Sequence, residues 1–335
     1  MFNIILAATD QVTVGDEAVS AAASMAKQNR SRLYIIHVLE SASDQNRFLV
    51  KHYKTGKEIL TDESYQKMVK KEMQNIYTEI LTPFSNFEIR VISGFPWEEI
   101  TRWSREVNTD LIVIGSHSAK AEEKGVVRVA GKIGSTLEGV IMREHCPVFI
   151  INRSIPKEKL KFKSILVGID FSKSCECALK FAAGLSQNYI SKLFIFHMIP
   201  VPPAPKYSKA DYQTDIETTK KRLEKFCHVF LKGIEHEYTV LGGALPHLEI
   251  LSCAEKKDAD LIVMGSHTKE KNGKWYAGSA VERVSFRSNC PVAVVTDPGV
   301  LLPWKDSLAT KTRPSSDTDR SILVFSKKGE KAQKK

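Results

Sequence analysis

An internal duplication constrains the fold of this sequence more than any other feature. Residues 110–117 read DLIVIGSH and residues 260–267 read DLIVMGSH, and in both cases a Gly-Ser pair and then a Cys-Pro-Val triplet follow. Upstream, ILAATD at residues 5–10 corresponds to ILVGID at residues 165–170, and LYIIHV corresponds to LFIFHM in the same way. Such repetition predicts two equivalent structural units within one chain.

Each repeat alternates short apolar runs with amphipathic segments. The runs are rich in β-branched residues, which is typical of strands buried on both faces, and the segments between them carry apolar residues at helical spacing. Strands alternating with helices predict an α/β fold with a parallel, doubly wound sheet, and ligands at the carboxyl ends of its strands. In the first repeat we expect a loop over residues 41–57 and a long helix over residues 58–81.

Length and composition fit two globular domains and a tail. The chain has 335 residues, of which 42% are hydrophobic and 26% charged. We expect a basic tail with nine lysines or arginines against four acidic residues, which favours a solvated, disordered segment over contact with nucleic acid or a membrane. The expected boundaries are 1–152 for the first domain, 153–161 for a linker, 162–298 for the second domain and 299–335 for the tail.

The sequence also bears on the compartment of the protein. No run approaches the roughly 20 apolar residues of a membrane helix, and the apolar start of the chain lacks a basic lead, so it is interpreted as a first strand. The six cysteines show no metal-binding spacing. We therefore expect a cytoplasmic protein with free thiols and no intrinsic metal.

The loop between the fourth strand and the next helix can hold phosphate. In the second repeat Gly265, Thr268 and the Gly278-Ser279 pair form the pattern G-x2-T-x9-G-S. Glycines let backbone N–H groups approach an anion, and the first N–H groups of a helix add hydrogen bonds and a favourable dipole. The alternative is a tight connection in which Ser279 caps the helix. Repetition of the pattern shifts the balance towards binding.

These residues resemble the universal stress protein family, in a tandem arrangement that covers roughly residues 1–297. Nucleotide-binding members of that family carry G-x2-G-x9-G-[ST] after the fourth strand and an aspartate at the end of the first. The second repeat keeps this spacing with Thr268 at the second glycine, whereas the first has Ser118 there and fifteen residues instead of nine. The resemblance implies five-stranded parallel sheets with helices on both faces, and adenine-nucleotide binding mainly in the second domain.

The resemblance also implies which residues contact ATP, with Mg²⁺, or AMP. In the second domain the candidates are Asp170, Met198, Met264, Gly265, Thr268, Gly278, Ser279 and Ala280. In the first domain the less favoured candidates are Asp10, Val38, Gly115, Ser118, Gly134, Ser135 and Thr136. From the residues alone, capping of the following helix is the favoured role of Asp10 and Asp170, and only the resemblance adds a ligand contact.

No catalytic motif is present in the sequence. A P-loop, a dinucleotide fingerprint, a nucleophile elbow and a zinc-protease motif are all missing, so we expect at most slow ATP hydrolysis. The resemblance implies a nucleotide-responsive binding protein of the stress response with an unidentified protein partner. The alternative is a scaffold that binds no nucleotide and acts through protein contacts, which Thr268 and Ser118 favour. An enzyme acting on an adenylated substrate is a third hypothesis without nameable catalytic residues.

The fifth strands of the two repeats are expected to pair with each other. Residues 148–151 (VFII) and 292–295 (VAVV) are apolar and lie at the edges of the predicted sheets, where an uncovered strand invites pairing. The short linker keeps the second domain close to the first. We therefore predict an intramolecular pseudo-dimer with the two glycine loops in separate sites, and a homodimer of two chains stays open.

Overall fold

The structure is a computed structural model, and its described strands and helices all lie in the unit Met1–Leu302. The predictions for Ser118, Thr268 and nearly all of the basic tail lie outside the described residues. The residues that the structure describes are 1–11, 13–42, 49–52, 55–82, 84–116, 134–201, 208–266, 269–271, 274–276 and 278–301.

Strands and helices alternate through both halves of the unit. The described elements of the first half are β1 (Ile4–Ala8), α1 (Thr13–Asn29), β2 (Arg32–Glu40), β3 (Leu49–Lys51), β4 (Glu58–Leu60), α2 (Glu63–Ile76), α3 (Thr78–Leu81), β5 (Phe87–Gly94), α4 (Pro96–Glu106), β6 (Leu111–Gly115), α5 (Ser135–Ile141) and β7 (Val148–Ile151). Those of the second half are β8 (Ser164–Gly168), α6 (Lys173–Tyr189), β9 (Lys192–Pro200), α7 (Lys209–Cys227), β10 (His236–Gly243), α8 (Pro246–Lys256), β11 (Leu261–Ser266), β12 (Lys269–Lys271), β13 (Lys274–Tyr276), α9 (Ser279–Arg287) and β14 (Val292–Thr296).

Ten of these strands form one continuous sheet. Its order is β10-β9-β8-β11-β14-β7-β6-β1-β2-β5, so each half contributes five neighbouring strands. All pairs within a half are parallel, and the same order of strands recurs in both halves. The predicted fold of two tandem doubly wound domains is therefore confirmed.

The repeated aspartate before the fourth strand explains part of the duplicated sequence. Asp110 Oδ2 accepts a hydrogen bond from the backbone N–H of Ile4 at 2.9 Å, and Asp260 Oδ2 accepts one from that of Ser164 at 3.1 Å. Each carboxylate thus ties the start of the first strand to the start of its neighbour in the sheet. The sequence motif and the strand order are linked through this contact.

The two halves meet at their fifth strands, as predicted. β14 pairs with β7 in antiparallel register, with Val292 opposite Ile150 and Val294 opposite Val148. All four side chains are at most 2% exposed. On the other face of the same strands, Phe149 packs edge-on against rings from both halves, and one buried apolar cluster spans them.

Each half also caps a helix of the other half. The Nδ2 of Asn152, which follows β7, donates to the carbonyl oxygens of Ser288 at 2.8 Å and Phe286 at 3.1 Å, at the end of α9. Thr296, which follows Asn152 by 144 residues and ends β14, donates to the carbonyl of Ile141 at 3.3 Å, at the end of α5. These reciprocal caps satisfy helix carbonyls across the junction. The sequence analysis did not predict them.

The middle of the first half differs from the prediction. Within the segment predicted as a loop and then a helix, β3 and β4 form an antiparallel pair. The helix predicted from Glu58 begins only at Glu63, because Asp62 Oδ1 accepts a hydrogen bond from the N–H of Tyr65 at 2.8 Å and so caps the helix there. The apolar residues upstream of this cap also fit helical spacing, so the sequence alone predicted a helix start that was too early.

A buried carboxyl lies just before β7. Glu144 is 3% exposed, and its Oε2 accepts a hydrogen bond from the hydroxyl of Ser104 in α4 at 3.1 Å. Burial raises the pKa of this carboxyl from 4.5 to about 7, against smaller opposing effects of Ser104 and Arg105. Between these two values the folded chain binds more protons than the unfolded chain, so stability falls as the pH rises.

Glu144→Gln should therefore increase the free energy of unfolding at pH 8, by up to about 3 kcal/mol, since one pKa unit corresponds to about 1.4 kcal/mol. At pH 4.5, where the wild-type carboxyl is protonated in the folded state, the two proteins should differ little. Urea unfolding at both pH values measures the effect, and Glu255→Gln on the exposed face of α8 serves as the control. Parallel pH profiles for Glu144→Gln and the wild type would contradict this assignment.

Candidate functional site

Seven of the eight residues predicted for the second-half site line one cavity. This second-half cavity has a volume of about 230 Å³ and lies at the carboxyl ends of β8, β9 and β11, beside the amino end of α9. Thr268, the eighth residue, lies outside the described residues. The seven that the structure brings together are Asp170, Met198, Met264, Gly265, Gly278, Ser279 and Ala280.

The amino end of α9 faces this cavity, and no side chain of the described residues caps it. Gly278 is the N-cap residue, with a φ of 97°, and no side chain accepts a hydrogen bond from the first turn in the described structure. Ser279 is the first residue of the helix, so the alternative in which its hydroxyl caps the helix is wrong. The first N–H groups of α9 are therefore available to an anion.

Ser172, and not Asp170, is the N-cap residue of α6. The Ser172 side chain accepts a hydrogen bond from the N–H of Cys175 at 3.2 Å and so caps the helix. Asp170 Oδ1 instead accepts one from the N–H of Ser172 at 2.8 Å, and the residue is exposed at the mouth of the cavity. The favoured interpretation of Asp170 as a helix cap is therefore wrong.

A larger cavity lies at the equivalent place in the first half. This first-half cavity has a volume of about 580 Å³ and lies at the carboxyl ends of β1, β2 and β6. Ser118 is outside the described residues. The other six predicted residues line the cavity, namely Asp10, Val38, Gly115, Gly134, Ser135 and Thr136.

A glycine and a cysteine at equivalent positions contribute to the difference in volume. Gly15 lies in α1, and a Cβ there would come within 2.7 Å of Asp10 Oδ1. Cys175, which follows it by 160 residues, lines the second-half cavity, and its Sγ lies 3.4 Å from the carbonyl of Gly168. Burial raises the pKa of Cys175 to about 12, so the thiol is neutral. The alignment of the two repeats already contained this difference between glycine and cysteine. The spacing of the glycines, however, favoured the second half as the binding site.

A histidine in the second strand of each half lines the cavity and contacts the backbone at the end of the first strand. His37 Nδ1 lies 2.9 Å from the carbonyl of Thr9, and His197 Nδ1 lies 2.7 Å from the carbonyl of Ile169. Both histidines line the cavities. The contact ties the second strand of each half to the end of the first, so these side chains hold the loop that carries Asp10 or Asp170.

The described parts of the chain show no cluster of three or more histidine, cysteine or acidic side chains that could hold a metal. All six cysteines are free thiols. Among the described helices, none has the length and apolar character needed to cross a membrane.

Comparison with known proteins decides the family. The model of the universal stress protein family matches residues 1–152 and 161–296. The chain belongs to the universal stress protein family. A universal stress protein of Methanocaldococcus jannaschii is 28% identical over 162 residues, which cover 45% of this chain and 91% of that protein. One of Thermus aquaticus is 31% identical over 139 residues, covering 40% and 98%.

Solved structures support the tandem fold of this universal stress protein. The crystal structure of a universal stress protein from Archaeoglobus fulgidus matches it with a TM-score of 0.61 at 22% identity, covering 88% of this chain and 98% of that one. A functionally unknown protein from Pseudomonas aeruginosa matches with a TM-score of 0.56 at 14% identity, covering 89% and 94%. At these identities the likeness concerns the fold alone.

Proposed function

We propose that this universal stress protein binds an adenine nucleotide in the second-half cavity, and that occupancy of this site alters its assembly or its binding to a protein partner. The observation that carries the proposal is the amino end of α9, which no described side chain caps and which opens onto a cavity lined by Asp170, Met198, Met264 and Gly265. The ligand is ATP, with Mg²⁺, or AMP. Family membership supports the same assignment.

The parts of the cavity suit different parts of such a ligand. The N–H groups at the start of α9 and the hydroxyl of Ser279 suit the phosphates, since an uncapped helix end favours anions. Met198 and Met264 offer apolar surface to the base, and Asp170 at the mouth can accept hydrogen bonds from ribose or base. A volume of about 230 Å³ is smaller than typical ligand pockets of about 300–1,000 Å³. The phosphates should therefore project towards solvent.

Gly278 is the residue of this site at which an added side chain should affect binding most. A Cβ on Gly278 would meet no atom of the described residues within 4 Å, so a side chain there would project into space that a ligand can use. Its φ of 97° also disfavours any other residue. Gly134, the equivalent residue in the first half, has a φ of −67° and carries no such restriction.

Gly278→Val should weaken nucleotide binding by at least about tenfold, which corresponds to about 1.4 kcal/mol. The reason is that valine both strains the backbone and excludes the phosphates from the helix end. Titration calorimetry with AMP, and with ATP and Mg²⁺, measures the dissociation constants. Gly134→Val is the matched control and should change them less. Equal losses in both variants would show that the first-half cavity is also a nucleotide site.

A further inference from the structure

The residue that follows Asp170 belongs to a cluster of three side chains beside the second-half cavity. The ring of Phe171 lies 4.6 Å from the ring of His197, measured between their centres, and the Cζ of Arg222 lies 4.0 Å from the centre of the Phe171 ring. His197 lines the cavity, whereas Arg222 belongs to α7 and is exposed. The Arg222–Phe171–His197 cluster therefore connects the cavity with the surface of a helix.

We propose that the Arg222–Phe171–His197 cluster couples the second-half cavity to α7. The cluster holds Asp170 in position for the nucleotide, and bound nucleotide in turn stabilises the docking of α7. This inference rests on the proposed function and identifies the element that signals occupancy of that site to a protein partner. Phe171 and Arg222 are positioning residues, because they act on the ligand through Asp170 and His197, which line the cavity.

Contacts on both sides of Asp170 hold the turn that carries its carboxylate. Before it, the carbonyl oxygen of Ile169 lies 2.7 Å from Nδ1 of His197, and after it the Phe171 ring packs against the same imidazole. Phe171 has a φ of 63°, in the left-handed region that a bulky side chain seldom adopts. Such a conformation persists only where surrounding contacts enforce it. Removal of the ring should therefore let the turn relax and Asp170 move.

The buried side chains of α7 lie close to the cluster. Of the nineteen residues of this helix, all of which the structure describes, only Leu223 and Cys227 are buried. Phe226, between them, packs edge-on against the Phe171 ring, with the ring centres 5.5 Å apart. A helix with so few buried side chains can open without unfolding of the whole domain. The contacts of Arg222 and Phe226 with Phe171 therefore contribute to how firmly α7 is held.

The first half has a different residue at the position of Phe171. Gln11, which precedes it by 160 residues, has a similar left-handed backbone with a φ of 60°. The side-chain oxygen and nitrogen of Gln11 are both buried, and neither has a hydrogen-bond partner among the described residues. Glutamine offers no ring to a histidine or to a cation. The coupling should therefore be confined to the second half.

The helix of the first half that corresponds to α7 also lacks the partners of such a ring. Alignment of the buried residues at the ends of α2 and α7 places Glu72 at the position of Arg222 and Ile76 at that of Phe226. The aligned buried residues are Met73 and Tyr77 in the first half and Leu223 and Cys227 in the second. The face of an aromatic ring attracts a guanidinium but not a carboxylate. α2 is therefore an internal control for α7.

Coupling between the cavity and α7 must act in both directions. If nucleotide binds more tightly when the cluster is formed, bound nucleotide favours the formed cluster by the same factor. Amide hydrogen exchange of the wild-type chain measures this effect, with AMP, and with ATP and Mg²⁺, as the probes. Saturating nucleotide should slow exchange in residues 219–227 by at least about threefold and leave exchange in α2 unchanged.

Substitutions in the cluster test the other direction by titration calorimetry. Phe171→Gln, which introduces the residue of the first half, should weaken nucleotide binding at least about fivefold and abolish the protection of α7 at saturating nucleotide. Phe171→Tyr keeps the ring and should bind within about twofold of the wild type. Arg222→Gln should weaken binding about threefold, with Arg222→Lys between it and the wild type. Lys221→Gln, at an exposed cation of the same helix, is the control and should bind like the wild type.

Two results would overturn the coupling and leave the nucleotide site in place. One is wild-type affinity in both Phe171→Gln and Arg222→Gln while Gly278→Val still weakens binding. The other is exchange in α7 that nucleotide does not change in the wild type. If Phe171→Gln unfolds at a lower temperature than the wild type, Arg222→Gln decides the outcome, because its side chain is exposed. Absence of any nucleotide binding to the wild-type chain would overturn the coupling and the proposed function together.

Discussion

Val294→Lys should break the junction between the two halves and reduce the free energy of unfolding by about 3–5 kcal/mol, the usual cost of a buried charge without a partner. Val294 is 1% exposed and lies opposite Val148 in the antiparallel pair of β14 and β7. The side chain of Val294 lies in a buried apolar cluster on one face of the sheet, so a lysine there cannot reach solvent without disrupting the packing of that cluster. The sheet should then open at its centre.

Limited proteolysis and thermal unfolding measure this result. We expect faster cleavage in residues 153–161, around Pro156, and two separate unfolding transitions instead of one. Val229→Lys is the control, because it makes the same substitution at a valine that is 67% exposed. Retention of a single transition and of wild-type resistance to protease in Val294→Lys would show that the halves are held together elsewhere.

Gly265→Ala should be the most damaging single-methyl substitution near the second-half cavity. A Cβ on Gly265 would lie 2.5 Å from the backbone N of Cys175 and 2.5 Å from the carbonyl carbon of Ser174, at the start of α6. Because both contacts are backbone atoms, the helix itself must shift. We expect a loss of about 1–3 kcal/mol in the free energy of unfolding, typical of overpacking.

Two other glycines, one in each cavity, provide controls with progressively smaller expected effects. A Cβ on Gly115, the equivalent residue in the first half, would lie 3.1 Å from a side-chain carbon of Val14, so Gly115→Ala should cost less. A Cβ on Gly168 would have ordinary contacts of 3.7 Å and more, so Gly168→Ala should be nearly neutral. Urea unfolding of the three variants should follow this order. A Gly265→Ala protein as stable as Gly168→Ala would show that β11 and α6 do not approach so closely.

Much of the fold could be predicted because the signals are local and occur twice. Apolar runs such as VFII and VAVV mark buried strands, and the duplication fixes which strands correspond. The pairing of β7 with β14 followed from the same pattern, because both strands were expected at a sheet edge. The candidate residues around each cavity were found in the same way, since parallel strands bring their carboxyl ends to one edge.

Two short strand pairs were missed, as were features that depend on three-dimensional packing. The pair of β3 and β4 was hidden because Ile59 fits helical and strand spacing equally, and only Asp62 marks the true start of α2. β12 and β13 pair within the segment predicted as a polar loop; the dipeptide Asn272-Gly273 between them is a signal typical of hairpins. The volumes of the two cavities depend on contacts between distant segments, which no local pattern encodes.

The proposal that this protein binds adenine nucleotide in its second half is tested most directly by native mass spectrometry of the intact chain with AMP, and with ATP and Mg²⁺. We predict a mass increase of one nucleotide per chain in the wild type, retained in Gly134→Val and lost in Gly278→Val at the same concentration. Absence of any nucleotide adduct on the wild-type chain at millimolar ATP with Mg²⁺ would contradict the proposal and favour a scaffold that acts through protein contacts.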